Sequence, residues 1–418
     1  MSLYLDGTLG LSASAGSAVL NNTGNNTVLT AQSLSASTVT ASTSIGIGIG
    51  TSTPTTALQV NGVVTMGDAS QFMTAASFGM RNRIINGNMQ IWQRGTSYAL
   101  TNSFVYGCAD RWETDMGSTA AATASQSTSV PITAGQLFQY SLKLQRTAAS
   151  TSTGNIVAAQ ALETANSYDL AGSIITLSWW AKCGTTYSQS GSQLTAFLFF
   201  GQGTDQSMTN MRNNAWTGQT NTAVAVTLTT SWQRFSFSYL VPSTTTQLGM
   251  QFVFTPSGTA GADDSFYVTG VQMEFGTAAS PFERRLIGTE LVLCQRYYEN
   301  IAGGITTYNA TSSAAKAVVN MLVPKRGTMS IGLISGTTWY FQSMASTFAS
   351  GSNGYVGTGI YTGPTSITQY GGSVNSQVIL FDLVAPSTLP TGMGYMFFGS
   401  NNLNSALTGV GMYVSSEL

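Results

Sequence analysis

Residues 232–241 read Trp-Gln-Arg-Phe-Ser-Phe-Ser-Tyr-Leu-Val. Phe235, Phe237 and Tyr239 alternate with serine, so in an extended chain their side chains lie on one face. Pro242 follows and cannot continue a central strand. The stretch therefore predicts a β-strand with one apolar face turned toward a core.

The surrounding region, residues 81–288, repeats this pattern in short segments separated by glycine- and proline-containing turns. The other predicted strands are 137–146, 174–182, 194–201, 222–229, 248–255 and 265–275. Regularly spaced short strands are typical of an antiparallel sandwich, and the jelly roll is the form we expect.

The composition supports an all-β fold. Charged residues make up 7% of the 418 residues, against about 25% in an average protein. Ser, Thr, Asn and Gln supply the polarity instead, and β-strands favour Thr, Val and aromatic residues over Glu and Lys. We predict an N-terminal β shaft, a central jelly-roll sandwich and a small C-terminal β domain, with one short linking helix. The net charge of −1 argues against a nucleic-acid partner, which needs clustered Lys and Arg.

The chain has no histidine, which excludes Ser-His-Asp and Cys-His catalysis and His-ligated metals. Its three cysteines, Cys108, Cys183 and Cys294, show no CxxC spacing, so we expect buried free thiols. We expect no enzymatic activity. There is neither an N-terminal secretory signal nor an apolar run of membrane length, so we expect synthesis in a cytoplasm and no membrane insertion.

Residues 1–80 carry only two charges, Asp6 and Asp68. Within them Gly46-Ile-Gly-Ile-Gly50 alternates apolar residues with glycine, as in a β-strand. Residues 58–60 again place apolar residues at alternate positions after a turn. One copy has too few apolar residues to close a core, but several copies wound together can pool them. The segment predicts an intertwined trimeric shaft; a flexible linker is the alternative.

The pattern changes near residue 289. Thr289 is a candidate cap for a helix over 290–299, the one helix that the sequence predicts. Beyond it the predicted strands are 317–323, 329–334, 338–342, 377–383 and 393–398. Residues 289–418 thus predict the linking helix and a second, smaller β domain.

Three stretches resemble a known family. Residues 80–97 (MRNRIINGNMQIWQRGTS) with 109–112 (ADRW) resemble the opening of a domain common in tail-fibre and related virion proteins of tailed bacteriophages. Residues 271–285 (VQMEFGTAASPFERR), followed by 290–299 (ELVLCQRYYE), resemble its end and linking helix. Residues 46–62 are similar to a shaft element of phage fibres.

The resemblance implies a homotrimer whose jelly roll is related in shape to carbohydrate-binding modules. It also implies an N-terminal part that holds another virion protein and a distal part that meets the host surface, where a glycan is the expected partner. The leading hypothesis is a structural virion protein, a tail fibre or fibre-like appendage on the tail or capsid surface. The alternatives are a head-decorating fibre or cement protein, and a polysaccharide-depolymerising tailspike.

Aromatic side chains that stack on sugar rings are the candidate binding residues. Trp179 and Trp180 are adjacent and must point to opposite faces of a strand, so Trp180 is a candidate surface ring. Trp216 lies in a polar stretch and is the preferred candidate. Asp263 and Asp264, in a glycine-rich loop, are candidate ligands of a structural calcium ion; no other cofactor is predicted.

Overall fold

A computed structural model describes residues 47–49, 58–60, 80–100, 104–117, 121–133, 136–301, 305–311, 314–327, 329–333, 338–343, 360–362, 366–371, 378–384, 394–400 and 412–417. The chain forms two compact units, residues 1–64 and 65–418. In the first unit, β1 (Ile47–Ile49) and β2 (Leu58–Val60) pair in parallel, with Ile47 opposite Leu58. Both predicted strands are confirmed, and the rest of the predicted shaft lies outside the described residues.

The central sandwich consists of two antiparallel sheets. Its elements are β3 (Ser97–Leu100), β4 (Glu113–Met116), β5 (Ala122–Ser127), β6 (Ile132–Thr133), β7 (Gln136–Leu137), β8 (Ser141–Arg146), β9 (Ile156–Ala161), β10 (Ile174–Cys183), β11 (Gln193–Gly201), α1 (Met208–Arg212), β12 (Thr220–Thr227), β13 (Gln233–Leu240), β14 (Gln247–Phe254) and β15 (Ser265–Phe275). One sheet has the order β13-β10-β15-β8-β5-β3 and the other β12-β11-β14-β9-β4, while β6 and β7 pair with each other in a short hairpin. The predicted all-β sandwich is confirmed, and the first predicted strand is divided between β7 and β8.

The core lies between these sheets because each strand turns alternate residues inward. Trp179, Phe252 and Phe266 are fully buried there, and the Trp112 ring stacks on Phe252 at 6.4 Å. Burying each such ring stabilises the fold by roughly 1.5–3 kcal/mol. All three cysteines are buried as predicted, Cys108 and Cys183 in this core.

A second apolar cluster covers the outer face of the five-stranded sheet. Met208 and Met211 of α1 pack on β9 and β11 residues there, together with Cys294 and Tyr297 from the end of the linking helix. One face of the sandwich is thus closed, while the outer face of the six-stranded sheet carries polar and aromatic side chains.

The linking helix, α2, spans Ile287–Gln295 and begins earlier than predicted. Thr289 lies inside it and is not its cap; Leu286 takes the cap position without a side-chain hydrogen bond. The first turn is held instead by Glu290, whose carboxylate accepts hydrogen bonds from the Asn86 backbone and the Arg285 guanidinium. The prediction of a single helix is also wrong, because Ser207 caps the short α1.

The C-terminal part is again strand-rich, as predicted. Its strands are β16 (Tyr298–Ile301), β17 (Ile305–Thr311), β18 (Ala314–Asn320), β19 (Ser330–Leu333), β20 (Thr338–Ser343), β21 (Ile360–Thr362), β22 (Ser366–Gly371), β23 (Val378–Val384), β24 (Gly394–Ser400) and β25 (Met412–Ser415). They form a three-stranded sheet, β16-β25-β19, and a seven-stranded sheet, β21-β20-β24-β17-β18-β23-β22. In the described part of the chain, no helix has the length and apolar character needed to cross a membrane.

Candidate functional site

Trp179 and Trp180 point to opposite faces of β10, as predicted. Trp179 is fully buried between the sheets, whereas Trp180 is half-buried on the outer face of the six-stranded sheet. A β-bulge opposite Trp179, next to the pair of Trp180 with Thr269, contains Gly270, whose φ of 61° favours glycine. A Cβ at that position would lie 2.6 Å from Phe138 and 3.0 Å from Trp180. Because residue 270 has no Cβ, the side chains of Phe138 and Trp180 can pack directly against the backbone of the bulge.

Next to Trp180, four side chains cross the same outer face in one line. Lys182 on β10 pairs with Tyr267 on β15, and Tyr267 pairs with Lys143 on β8. Trp232 directly precedes β13, whose first residue pairs with the neighbour of Lys182. We call Trp232, Lys182, Tyr267 and Lys143 the sheet-face row.

Cations and rings alternate along the sheet-face row. The Lys182 ammonium lies 4.5 Å from the centre of the Tyr267 ring and 5.7 Å from that of Trp232. Lys143 lies 5.1 Å from the Tyr267 ring on its other side. Trp232 meets Tyr267 edge to face at 6.2 Å. Each cation–π contact stabilises by about 0.5–1 kcal/mol at exposed sites, so the four side chains hold one another in place.

Asp263 forms the rim of the sheet-face row. Its carboxylate lies 3.4 Å from the Lys143 ammonium and accepts hydrogen bonds from the Ser265 hydroxyl (2.8 Å) and the Thr185 backbone (3.2 Å). Burial opposes ionisation, but these hydrogen bonds and Lys143 outweigh it and hold the pKa of Asp263 below its usual value. The rim therefore carries a negative charge at neutral pH.

Asp264 points away from the row into the protein. Its fully buried carboxylate accepts from Arg146 Nη1 at 2.7 Å and from the Ser188 backbone and hydroxyl at 2.9 and 2.8 Å. The two aspartates thus serve different partners, and no cluster of three or more metal-ligating side chains occurs among the described residues. The arrangement does not fit the predicted calcium site, because Arg146 already neutralises Asp264.

The prediction of Trp216 as a surface aromatic is wrong. Trp216 is only 3% exposed, and its indole N–H donates to the Ser207 carbonyl at 2.9 Å. The polar residues beside Trp216 in the sequence suggested a surface loop. In the structure, Trp216 follows α1 and packs with Met208 and Met211 of that helix in one apolar cluster. Tertiary packing of a five-residue helix is not visible in local sequence.

Of the predicted residues, Trp180 lies two positions before Lys182 on β10, and Asp263 contacts Lys143 on β8. They adjoin different members of the sheet-face row, whose four residues were not predicted. Strand alternation in 265–275 places Tyr267 opposite Phe266 and so outward, which is a signal that sequence reasoning could have used. No sequence pattern marked Lys143 and Lys182 as site residues, because they meet Tyr267 only through the pairing of strands. Tyr267 is only 8% exposed, because the two lysines cover its ring. The row therefore offers the half-buried Trp232 ring and the two ammonium groups to a ligand with apolar patches and many oxygen acceptors.

No protein-family model matches the chain, and no curated protein shows significant similarity to it. Solved structures match its fold weakly. A tailspike protein 4 domain of bacteriophage CBA120 is 13% identical over 52% of this chain and 25% of its own, with a TM-score of 0.30. A family 4 carbohydrate-binding module (CBM4) is 17% identical over 46% of this chain and 98% of its own, with a TM-score of 0.26. TmCBM61, solved with β-1,4-galactotriose, is 10% identical over 47% and 99%, with a TM-score of 0.26. This chain therefore spans about a quarter of that tailspike chain, and at these values any function rests on the chemistry of the site itself.

Proposed function

We propose that the chain is a trimeric fibre protein of a tailed bacteriophage, which binds polysaccharide on the host surface through the sheet-face row without cleaving it. The observation that carries the proposal is the alignment of Trp232, Lys182, Tyr267 and Lys143 across four neighbouring strands. Three interstrand spacings of roughly 4.8 Å give the row a length of about 14 Å. A linear surface of this kind suits a chain-like ligand.

The chemistry of the row suits a glycan. Sugar rings present apolar C–H faces to aromatic rings and hydroxyl oxygens to N–H donors. The contacts between Lys182, Tyr267 and Trp232 fix these side chains before a ligand arrives, so binding immobilises few rotamers and loses little entropy.

Adhesion through such a row depends on valency. A short open row gives weak single contacts, and three linked copies raise the effective concentration at each further contact. The parallel pairing of β1 with β2 in the N-terminal segment and the resemblance of residues 80–97 and 271–285 to phage fibres support a projecting appendage. Its N-terminal part would hold another virion protein.

The acidic groups near the row support the non-enzymatic part of the proposal. Glycosidases use two carboxylates roughly 5–10 Å apart across the scissile bond. Among the described residues, Asp263 is the carboxylate in contact with the row, and Lys143 and Ser265 already bind it. The neighbouring carboxylate of Asp264 is buried in an ion pair with Arg146.

The test is adsorption of the purified full chain to host cells and to their isolated surface polysaccharide. We expect Trp232→Ala to reduce adsorption at least tenfold, while Trp216→Phe, in the apolar cluster under α1, binds like the wild type. Equal adsorption of the wild type and Trp232→Ala would contradict the proposal. Sustained release of reducing ends from the polysaccharide would overturn its non-enzymatic part.

A further inference from the structure

The linking helix carries an apolar side that the described part of its own chain leaves exposed. Ile287 and Leu291 of α2 are four residues apart, as are Gly288 and Val292, so they form two neighbouring rows on one side of the helix. Leu286, Ile287 and Val292 are 81%, 52% and 49% exposed, and a Cβ added at Gly288 would meet nothing within 4 Å. We call Leu286, Ile287, Leu291 and Val292 the helix stripe.

The other side of α2 fixes the helix on the sandwich. Cys294 is fully buried in the apolar cluster on the five-stranded sheet. The Glu290 carboxylate lies 3.2 Å from the Arg285 guanidinium, and Arg296 donates two hydrogen bonds to Glu163, both of 2.8 Å. The helix stripe is therefore presented by a rigid element, and covering it would order few additional groups.

The chemistry of the helix stripe favours a protein partner over a glycan. Its four side chains are aliphatic, and none of them carries a charge, a hydrogen-bonding group or an aromatic ring. Single exposed apolar residues are common on protein surfaces, but several on one element mark an interaction surface. Permanent interfaces between subunits are apolar and poor in charge. The stripe has the character of such a subunit interface.

The helix stripe lies beside the point at which the chain enters the sandwich. The backbone N–H groups of Arg81 and Asn82 donate to the two carboxylate oxygens of Glu283, at 3.0 and 2.7 Å. Glu283 precedes Leu286, the first residue of the stripe, by three positions. In the proposed trimer three chains share residues 1–80, so this end of each sandwich directly follows the shared segment. It is the surface best placed to continue the contact between copies.

We propose that the helix stripe packs against a second copy of this chain and extends the subunit contact of the proposed trimer into the sandwich. The inference rests on the trimeric part of the proposed function, and it adds which surface the subunits share. In the assembled protein, apolar side chains of a neighbouring copy cover Ile287 and Val292.

The first test replaces one stripe residue of the full chain by p-benzoylphenylalanine, which on irradiation forms a bond to a C–H group of whatever covers it. A threefold ring need not bring identical residues face to face, and this reagent does not require that it does. Ile287→p-benzoylphenylalanine and Val292→p-benzoylphenylalanine should each give covalent dimers on a denaturing gel. The matched control is the same replacement at Ile132, which is 90% exposed on β6 and lies outside the sheet-face row; it should give severalfold less dimer.

The second test places a charge on the helix stripe. Val292→Asp should lower the urea concentration at which the trimer dissociates, because a carboxylate buried between subunits loses its water without gaining a partner. Ile132→Asp should leave that concentration unchanged. Since both side chains are exposed in the single chain, neither substitution disturbs the core of the sandwich.

Sedimentation of the same samples separates this inference from the proposed function. A trimer that forms no covalent dimer from position 287 or 292, and that Val292→Asp does not weaken, would overturn the inference and leave the fibre proposal standing. A monomer would overturn both the inference and the trimeric part of the proposed function. Links found only within one chain would overturn the inference as well, because another segment of the same chain would then cover the stripe.

Discussion

The side-chain amide of Asn82 donates a hydrogen bond to the carbonyl oxygen of Val271 at 3.0 Å, across 189 residues of sequence. The amide oxygen of Asn82 accepts from the Met273 backbone at 3.1 Å and from that of Ile84 at 2.9 Å. One buried side chain therefore joins the two stretches, 80–97 and 271–285, that resemble the opening and closing of a phage-fibre domain. These stretches close the sandwich by pairing with each other.

Gly87 tests this closure. A Cβ at position 87 would lie 2.1 Å from the carbonyl oxygen of Val271, and backbone cannot yield as a flexible side chain can. We expect Gly87→Ala to lower the free energy of unfolding by about 1–3 kcal/mol or more, measured by urea denaturation.

The matched control is Gly288→Ala, in the first turn of α2, where an added Cβ meets nothing within 4 Å. This substitution should be neutral or stabilising by up to about 1 kcal/mol, because alanine favours helix. Equal stabilities for Gly87→Ala and Gly288→Ala would contradict the proposed closure.

Sequence alone gave the sandwich because its best strands alternate cleanly, as at Phe235 and Phe237. The hydropathy pattern did not reveal β4, because acidic residues indicate an exposed loop in such a pattern. In the structure, Glu113 and Asp115 of β4 are buried. The pattern also missed the alanine-rich β9, whose small side chains carry little apolar signal.

The candidate site could be predicted only in part. The alternation rule placed Trp180 outward, but the rule cannot say which strand lies beside β10. The meeting of Lys182 with Tyr267 depends on that pairing, and the burial of Trp216 depends on how α1 packs. Long-range pairing and helix packing are tertiary information that no local window contains.

Substitution of the two neighbouring aspartates should lower the free energy of unfolding by very different amounts. Asp264→Asn leaves the fully buried Arg146 without its charge partner, and loss of one member of a buried pair costs about 3–5 kcal/mol. Asp263→Asn removes a partly exposed pair with Lys143 and should cost less than about 1 kcal/mol. Thermal unfolding of both variants checks this difference. A calcium-dependent rise of the wild-type melting temperature would contradict the assignment of Asp264 to Arg146.

Glu113 predicts a pH dependence of stability. Burial raises its pKa to about 8, because Arg212 only partly offsets the loss of water and Asp115 adds repulsion. The folded state therefore holds a proton that the unfolded state releases near pH 4.5, and this stabilising contribution is lost as pH rises toward 8. We expect Glu113→Gln to gain stability relative to the wild type between pH 5 and 9, on the order of a few kcal/mol, in urea titrations at each pH.

Glu163 provides the control of opposite sign. Burial raises its pKa, but hydrogen bonds from Arg296 and Tyr297 outweigh burial and lower it overall. Its contribution is present above the unfolded pKa and is lost as pH falls through the folded one. Glu163→Gln should therefore cost stability at pH 7 and progressively less toward pH 3. Parallel pH profiles for the two variants would refute the assigned shifts.

The proposed fibre predicts a stable trimer. We predict that copies of the chain share the apolar residues of the segment 1–80, because its composition offers few of them per copy. We expect sedimentation velocity of the full chain to give the mass of three chains and to keep it in mild denaturant. A monomer in light scattering at micromolar concentration would be incompatible with this assembly.

Lysine acetylation of the full chain, with and without bound host polysaccharide, tests glycan binding on the sheet-face row most directly. Mass spectrometry then reads the modification of Lys143 and Lys182, with Lys316 on β18 as the internal reference. Binding on the row predicts severalfold protection of Lys143 and Lys182 by the polysaccharide and none of Lys316. Unchanged acetylation of both row lysines while the polysaccharide is demonstrably bound would contradict it.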